Sequence, residues 1–394
     1  MKSISIKAKV IVVLVFSLAL GAIIQVSLVR DSYNKNVAMV AQSALTTAQK
    51  TFDNIKAREL SSLALASSAL VNIDAVRDLF AKGDRQVLYD YVAPTFADLK
   101  SMGINIVTFL DKEGVAFLRM QTPTSFGDST NKKITTVRKA IDSGQVAAGI
   151  DLAKPGLSRG SCRPIRDKDG SILGFLIVGG SLDQFLATMK SQTSDDYIFM
   201  GYKSFLDEKL YHATRKAKGQ PDTWGQFAGA VVLATSMDVR SDPQYEKDLQ
   251  SLPAAGRLLG RSESGGSTFV NGVFPLYDAA NNAIGGIFVR HDITALHQGM
   301  KRVQYLAIAA LVALVVVLSL VIGIVLNRLV FVRLNRTMDI VTRVVGGEFS
   351  KQIVPTAADE VGRLEELFEQ FRAIFVSVVD DLSRARDEEG KKSA

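Results

Sequence analysis

Two unbroken apolar runs stand out along the chain. Val10–Val29 holds twenty residues without a charge, and Tyr305–Leu326 holds twenty-two. At about 1.5 Å of rise per residue, either run crosses a hydrocarbon core of about 30 Å as a helix. The first run follows Lys2, Lys7 and Lys9, as a secretory leader would. It is longer than the apolar region of about 7–15 residues in such leaders, and helical spacing continues past Arg30, so a retained anchor is predicted. Beyond it, Ala41, Leu45, Ala48, Phe52 and Ile55 alternate at spacings of four and three. This pattern predicts a long helix to about Val71, packed along another helix, with shorter helices to Lys100.

From Ile104 the period shortens to that of strands. INIVTFLDKEGVAFLRM places β-rich runs on either side of the turn-forming Asp111–Gly114, and two further strand–turn–strand units follow at RPIRDKDGSILGFLIVGG and FPLYDAANNAIGGIFVRHDIT. The last two units repeat. Pro164 and Pro275, Asp167 and Asp278, Gly170 and Asn281, Gly174 and Gly285, and Val178 and Val289 are all paired at one offset of 111 residues. In each unit the proline starts a strand, Asp with Gly or Asn makes a tight turn, and the later glycine allows close backbone approach. Two tandem modules are predicted, at about 100–185 and 192–296. Gly179, Gly180, Gly265 and Gly266 fall in no GxGxxG or GxxxxGK pattern, so a phosphate-binding role has no support.

After the second apolar run, Leu334, Met338, Val341 and Val345 mark one amphipathic helix that ends at Gly346 and Gly347. Val361, Leu364, Phe368, Phe371, Phe375, Val378 and Leu382 then form a second seam, sustained for three heptads. Between the helices lies VVGGEFS, which shares four letters with the GGDEF motif of cyclic-dinucleotide synthases. Such a domain needs well over a hundred residues around its motif, and 45 follow Phe349, so the match is read as accidental. The tail beyond Leu382, SRARDEEGKKSA, is charged and aperiodic, and is expected to lack structure.

The formal charge of +7 changes the picture through its location. Lys2, Lys7, Lys9, Arg30, Lys301, Arg302, Arg328, Arg333 and Arg336 flank the two runs, and without these nine the chain has 38 basic against 40 acidic residues. The excess belongs to membrane flanks and argues against a nucleic-acid partner. By the positive-inside bias both termini are predicted to be cytoplasmic and residues 31–300 to be outside, in the periplasm of a Gram-negative cell. Cys162 is the only cysteine, so no internal disulfide supports that outer domain, which at about 270 residues can rely on its own core.

Several motifs in residues 31–296 resemble a double Cache sensory domain, the extracellular ligand-binding module of bacterial sensor kinases, chemoreceptors and messenger cyclases. They are similar in particular to the branch described as the double sensory domain of two-component sensor kinases. The likeness rests on VAFLRMQTPTSFGD, with Arg119, Pro123, Phe126, Gly127 and Asp128 at the family's Arg, Pro, aromatic, Gly and Asp. It continues through Gly149–Ile150, the Pro164 unit, Lys203–Leu206 and Trp224. Gln121 stands where the family often has histidine. The helices at 328–380 resemble a HAMP domain, the relay that follows the last membrane helix of bacterial receptors. Gly346–Phe349 and DEVGRL at Asp359–Leu364 carry that likeness, whereas the proline common near the first helix is absent around Val332 and Arg333.

The expected architecture is α+β: tandem PAS-like Cache modules on a long helix, two transmembrane helices (10–29 and 305–326) and a cytoplasmic HAMP coiled coil, with residues 1–9 and 381–394 as flanks. Arg119, Arg138, Arg159 and Arg163 lie in the stretch that would line the membrane-distal pocket, where a guanidinium fork suits a small organic acid. The alternative is surface arginines or partners for Asp128, Asp142 and Asp151. Arg119 is favoured because strand alternation and the family motif coincide on it, and the motif adds Asp128. His212, His291 and His297 show no metal-ligand spacing, no partnered histidine activates Cys162, and neither a cofactor nor an enzyme activity is expected.

Together these readings describe a two-pass receptor of the bacterial inner membrane. A small-molecule ligand would shift helix packing, and the relay would run through Leu334, Met338, Val341, Gly347, Asp359, Glu360, Val361, Leu364, Phe368 and Phe371. Its apolar seams require a second chain, so a parallel homodimer is expected. The output would lie in a separate cytoplasmic partner such as a kinase or chemotaxis component. A truncated chemoreceptor or sensor kinase, and a membrane-anchored binding protein without signalling, are the alternatives.

Overall fold

The computed structural model describes residues 6–130, 134–153, 156–239, 241–355 and 358–392. Lys2 of the amino-terminal flank and residues 393–394 of the tail lie outside them. The chain divides into two units, Asn34–Gln298 and the combined segments Met1–Tyr33 and Gly299–Ala394.

Helix α1 (Ile6–Val71) leads into α2 (Asp74–Lys82) and α3 (Arg85–Ser101). The first module follows as β1 (Ile106–Leu110), β2 (Ala116–Arg119), α4 (Thr135–Ser143), β3 (Ala147–Ala153), β4 (Gly156–Arg166) and β5 (Ile172–Ser181). After α5 (Asp183–Thr193) comes the second module: β6 (Asp196–Tyr202), α6 (Glu208–Ala217), β7 (Ala230–Thr235), α7 (Gln244–Leu249), β8 (Arg257–Ser264), β9 (Ser267–Tyr277) and β10 (Ala283–Asp292). The two antiparallel sheets have orders β2-β1-β5-β4-β3 and β7-β6-β10-β9-β8, the same order in the two modules.

The 111-residue offset carries one hairpin onto the other in register. Pro164 faces Phe175 and Pro275 faces Gly286. Both turns close alike. Asp167 N–H donates to Ser171 O at 2.8 Å and Gly170 N–H to Asp167 O at 3.0 Å; Asp278 N–H donates to Asn282 O and Asn281 N–H to Asp278 O, both at 3.0 Å. Gly170 and Asn281 occupy the left-handed region at φ +86° and +65°, a conformation open to Gly and tolerated by Asn. Gly174 and Gly285 are where the hairpins press on the neighbouring strand. A Cβ would come within 2.3 Å of Leu110 O at the first and 2.0 Å of Met200 O at the second.

Ala41, Leu45, Ala48, Phe52 and Ile55 are all buried, and the last four pack against the second sheet together with the short helix α5. The Phe52 ring lies 5.2 Å from Phe185, 6.2 Å from Phe199 and 5.9 Å from Phe274. Spacings of four and three define one buried helix face and say nothing about the shape opposite it, which is why the expected long helical partner is replaced by strands and the short α5. Leu63 and Leu70, further along α1, pack on the first sheet, so one rod supports both modules. Burying each large apolar side chain contributes about 1.5–3 kcal/mol.

In the other unit, the beginning of α1 and the helix α8 (Thr294–Leu326) are long and apolar enough to cross a membrane. Their apolar side chains, such as Phe16 and Leu320, are exposed as a lipid-facing surface would be. A π-helical segment, Asn327–Phe331, joins α8 to α9 (Val332–Val345) without a break. Gly347, at φ +91°, ends α9, and α10 spans Glu360–Lys392. Helix α10 thus runs through the tail beyond Leu382 that the sequence left unstructured. Nothing there but Gly390 opposes a helix, and Ser383 Oγ donates back to Val379 O at 2.8 Å.

Helices α9 and α10 lie parallel, start to start and end to end. Arg333 near the start of α9 pairs with Asp359 at 2.8 Å and Glu365 at 2.9 Å. Past its end, Phe349 O accepts from Arg372 Nη1 at 2.7 Å, and Ile340, Val344 and Ile353 are buried in the same cluster as Phe368.

Candidate functional site

The face of the first sheet turned away from α1 borders a cavity of about 730 Å³, within the roughly 300–1,000 Å³ usual for small-molecule sites. Strand alternation alone would set Arg119 opposite Ala116. A register shift in the β1–β2 pairing, where Leu110 faces Ala116 and Thr108 faces Arg119, makes Phe117 an extra residue and returns Arg119 to the cavity side. Its Nη1 donates to Ser125 O at 2.9 Å and to Asp128 Oδ1 at 2.7 Å, pinning the 122–128 loop as the rim. Nε and Nη2 of Arg119 make no hydrogen bond among the described residues. Beside it, Gln121 donates to Thr108 Oγ1 at 3.1 Å and accepts from Val107 N–H at 3.2 Å, which fixes its amide against β1.

Asp151 on β3, missed as a site residue by the sequence reading, borders the same cavity and is almost fully buried. The Thr136 N–H donates to its Oδ1 at 3.2 Å, and the Thr136 hydroxyl to its Oδ2. Burial lifts this carboxyl above its ordinary range, and the Thr136 hydrogen bonds oppose the rise. Nothing local in GIDLA distinguishes Asp151 from a surface aspartate; only the register of β3 against β4 turns it inward. Cys162 on β4 is buried in the cluster beneath, and burial pushes its thiol up to about 12, which keeps it protonated and inert.

The other predicted arginines go elsewhere. Arg159 borders the cavity, but its guanidinium is on the opposite sheet face, 3.2 Å from Glu59 of α1. Ser161 and Arg163 share that face and meet Ser67 of α1 at 3.3 and 3.4 Å. Arg138 lines a separate groove with Asp142, Ala280 and Asn282, where the β9–β10 turn docks on α4. In that contact Thr135 Oγ1 donates to Asp278 Oδ2 at 3.1 Å and Lys139 Nζ to Ala279 O at 3.3 Å. Gly149 is required there because a Cβ would sit 2.4 Å from that of Ala279.

On the equivalent face of the second module the corresponding positions carry larger side chains. Thr108 and Ile177, cross-strand partners in the first module, correspond to Ile198 and Phe288 in the second. Tyr245 packs edge-on to Phe288 at 4.9 Å and to Phe227 at 6.0 Å, with Met200, Val232 and Leu249 completing the core. Large side chains have filled the space that small and polar ones leave open in the first copy.

Residues 41–297 match the family described as the double sensory domain of two-component sensor kinase. The chain belongs to this family. Its sensory domain is also similar to solved structures. The periplasmic domain of Vibrio cholerae LuxQ shares 11% identity at a TM-score of 0.38, covering 64% of this chain and 99% of that one. The ligand-binding domain of the Campylobacter jejuni chemoreceptor Tlp3, in complex with L-valine, shares 10% at 0.38, covering 67% and 96%. The sensor domain of the V. cholerae histidine kinase DctB shares 13% at 0.35, covering 64% and 98%. No curated protein matches.

A second titratable cluster in the sensory domain lies where β10 leads into α8. His291 Nδ1 is 2.7 Å from Asp195 Oδ1, and Tyr197 OH is 2.6 Å from Thr193 Oγ1. The hydrogen bond to Asp195 holds the His291 imidazolium above its ordinary 6.5 despite partial burial. A raised folded-state value means that this contribution to stability is complete below pH 6.5 and disappears as pH climbs through the raised value. Because His291 is about a third exposed, screening limits the effect to about 1 kcal/mol, or about 2–4 °C in Tm. Thermal melts between pH 5.5 and 8.5 are expected to fall by that amount in the parent and to stay flat in His291→Asn.

Of the predicted relay residues, Leu334, Val341, Val361 and Phe368 are half-buried, and Met338, Leu364 and Phe371 are exposed. In the intrachain contact of α9 the buried residues are the neighbouring Thr337, Ile340 and Val344, with Val341 and Phe368 packed beside them. Asp359 precedes Glu360 as the cap of α10 and accepts from Gly362 N–H at 2.8 Å; that bond and Arg333 lower its carboxyl.

Proposed function

We propose that the chain is a two-span membrane receptor whose extracytoplasmic sensory domain binds a small organic acid in the first module and relays binding to a cytoplasmic partner. The observation that carries this reading is the cavity of about 730 Å³ in which Arg119 keeps Nε and Nη2 unbonded among the described residues. A carboxylate pairs bidentately with that edge. Asp151, at the same cavity and without a cation in its hydrogen bonds, favours ligands that also carry an amino group.

The relay begins beside the ligand. Thr136 bonds Asp151 at the cavity, and its neighbour Thr135 bonds Asp278 of the second module. From that turn β10 runs to Asp292, and α8 starts at Thr294. A ligand that favours one arrangement by about 1–3 kcal/mol shifts the population of the whole path. In the cytoplasm, α9 and α10 act as a HAMP relay. A parallel homodimer covers the seam of Met338, Leu364 and Phe371 in a four-helix bundle, and a kinase or chemotaxis component reads the result.

A thermal-shift screen of the full chain in lipid nanodiscs, against organic acids, amino acids and amines, tests the reading. An acid or amino acid at a hundredfold excess over its Kd is expected to stabilise by about 2.7 kcal/mol and to change cysteine crosslinking along α10. Stabilisation by amines alone overturns the ligand class. Binding that leaves every α10 crosslink unchanged reduces the chain to a membrane-anchored binding protein.

A further inference from the structure

A smaller cavity, of about 250 Å³, lies between the two modules, bordered by Leu157 and Ser158 of β4 and by Phe199 and Leu233 of the second sheet. It adjoins the site proposed above, sharing Ile106 and Ser158 with it, and its remaining walls come largely from α5, α6 and the second sheet. Its lining contains two cationic residues, Arg215 and Lys218, and no acidic one among the described residues.

Arg215, on α6, is 9% exposed. Its partners are all neutral. Nη1 donates to Gln220 Oε1 at 2.8 Å, and Nη2 donates to Val232 O at 2.5 Å and Leu233 O at 2.6 Å. The two carbonyls are at the register shift in β6–β7, where the ladder is interrupted. The guanidinium also stacks 5.0 Å over the Tyr211 ring. Nε and one donor of Nη1 remain without a hydrogen bond among the described residues. The neighbouring carboxylate, Asp222, is half exposed and is committed to His212 Nδ1 and the Trp224 N–H, without a salt bridge to Arg215. Asp222 acts on Arg215 only at longer range, so the buried cation has no carboxylate among its hydrogen bonds, which is costly, and an entering anion offsets that cost.

We infer that this cavity is a second binding site, for a small monocarboxylate with an apolar tail. Arg215 takes the carboxylate, and Leu157, Leu186, Phe199 and Leu233 surround the tail. Both modules contribute walls, so an occupant joins them.

Trp224, the only tryptophan in the chain, lies 5.3 Å from the Tyr211 ring that borders the cavity and reports on it. The test is Trp224 fluorescence of the full chain in lipid nanodiscs, titrated with sodium isovalerate at constant ionic strength. A saturable change is expected with isovalerate and none with isovaleramide, its neutral counterpart. Arg215→Met is expected to weaken binding about 10- to 100-fold, the range for a hydrogen bond to a charged group. Should that variant fail to melt cooperatively, Leu186→Phe fills the cavity with the guanidinium intact and is expected to remove the response. No response to isovalerate, an equal one to the amide, or one that survives Arg215→Met or Leu186→Phe overturns the site.

Discussion

Arg119→Ala is expected to remove about half or more of the thermal shift that an acidic ligand at a hundredfold excess over its Kd produces in the full chain. The residue has two tasks, and they are separable. Through Nη1 it holds the cavity rim at Ser125 and Asp128. Asp128 is nearly half exposed, so losing this ion pair costs the unliganded protein only about 0–1 kcal/mol. Through Nε and Nη2 it presents a desolvated fork to the ligand, and removing that fork costs about 1.5–3 kcal/mol or more in binding. Affinity is therefore expected to fall about 10- to 100-fold or further while the ligand-free Tm moves little. Arg119→Lys, which keeps the charge but not the fork, is expected to fall in between. An undiminished ligand shift in Arg119→Ala moves the acid-binding group elsewhere.

Phe371→Asp is expected to eliminate disulfide crosslinking between cysteines placed along α10. Within one chain Phe371 is 59% exposed, Ile374 64%, Val378 50% and Leu382 64%, a continuous apolar stripe that contact with α9 leaves open. Truncating a large aromatic at a packed contact costs about 3–5 kcal/mol, and a carboxylate there adds the penalty of an unpaired charge in both copies. The dimer contact is thus expected to weaken more than about 100-fold. The membrane helices can keep two chains near one another, so the readout is the crosslinking pattern along α10 and not mass. Unchanged crosslinks would mean that another surface or another protein covers the stripe.

Much of this molecule is local in origin. The apolar runs, the helix from the first run to Val71, the paired hairpins and the glycine end of α9 each follow from neighbours a few residues apart. Backbone sterics and side-chain periodicity act at that range. The candidate site was legible only in part. Arg119 could be named, but the reason it reaches the cavity is the extra residue at Phe117, which alternation does not reveal. Arg159 was named for the same pocket stretch and its guanidinium meets Glu59 instead. Neither Asp151 nor Arg215 carried a local mark.

The sequence alone determined that oily helices flank a duplicated α+β domain and that the domain belongs with sensory modules, because those features rest on periodicity, on turn chemistry and on order along the chain. Tertiary structure decided how the cavity of the first copy is walled, which face each arginine meets and what the long helix packs against. A buried space is set by side chains that meet across strands far apart in sequence. Ile177 and Phe288 occupy the same place in their two sheets, and only the chains packed around them make one a wall and the other a plug.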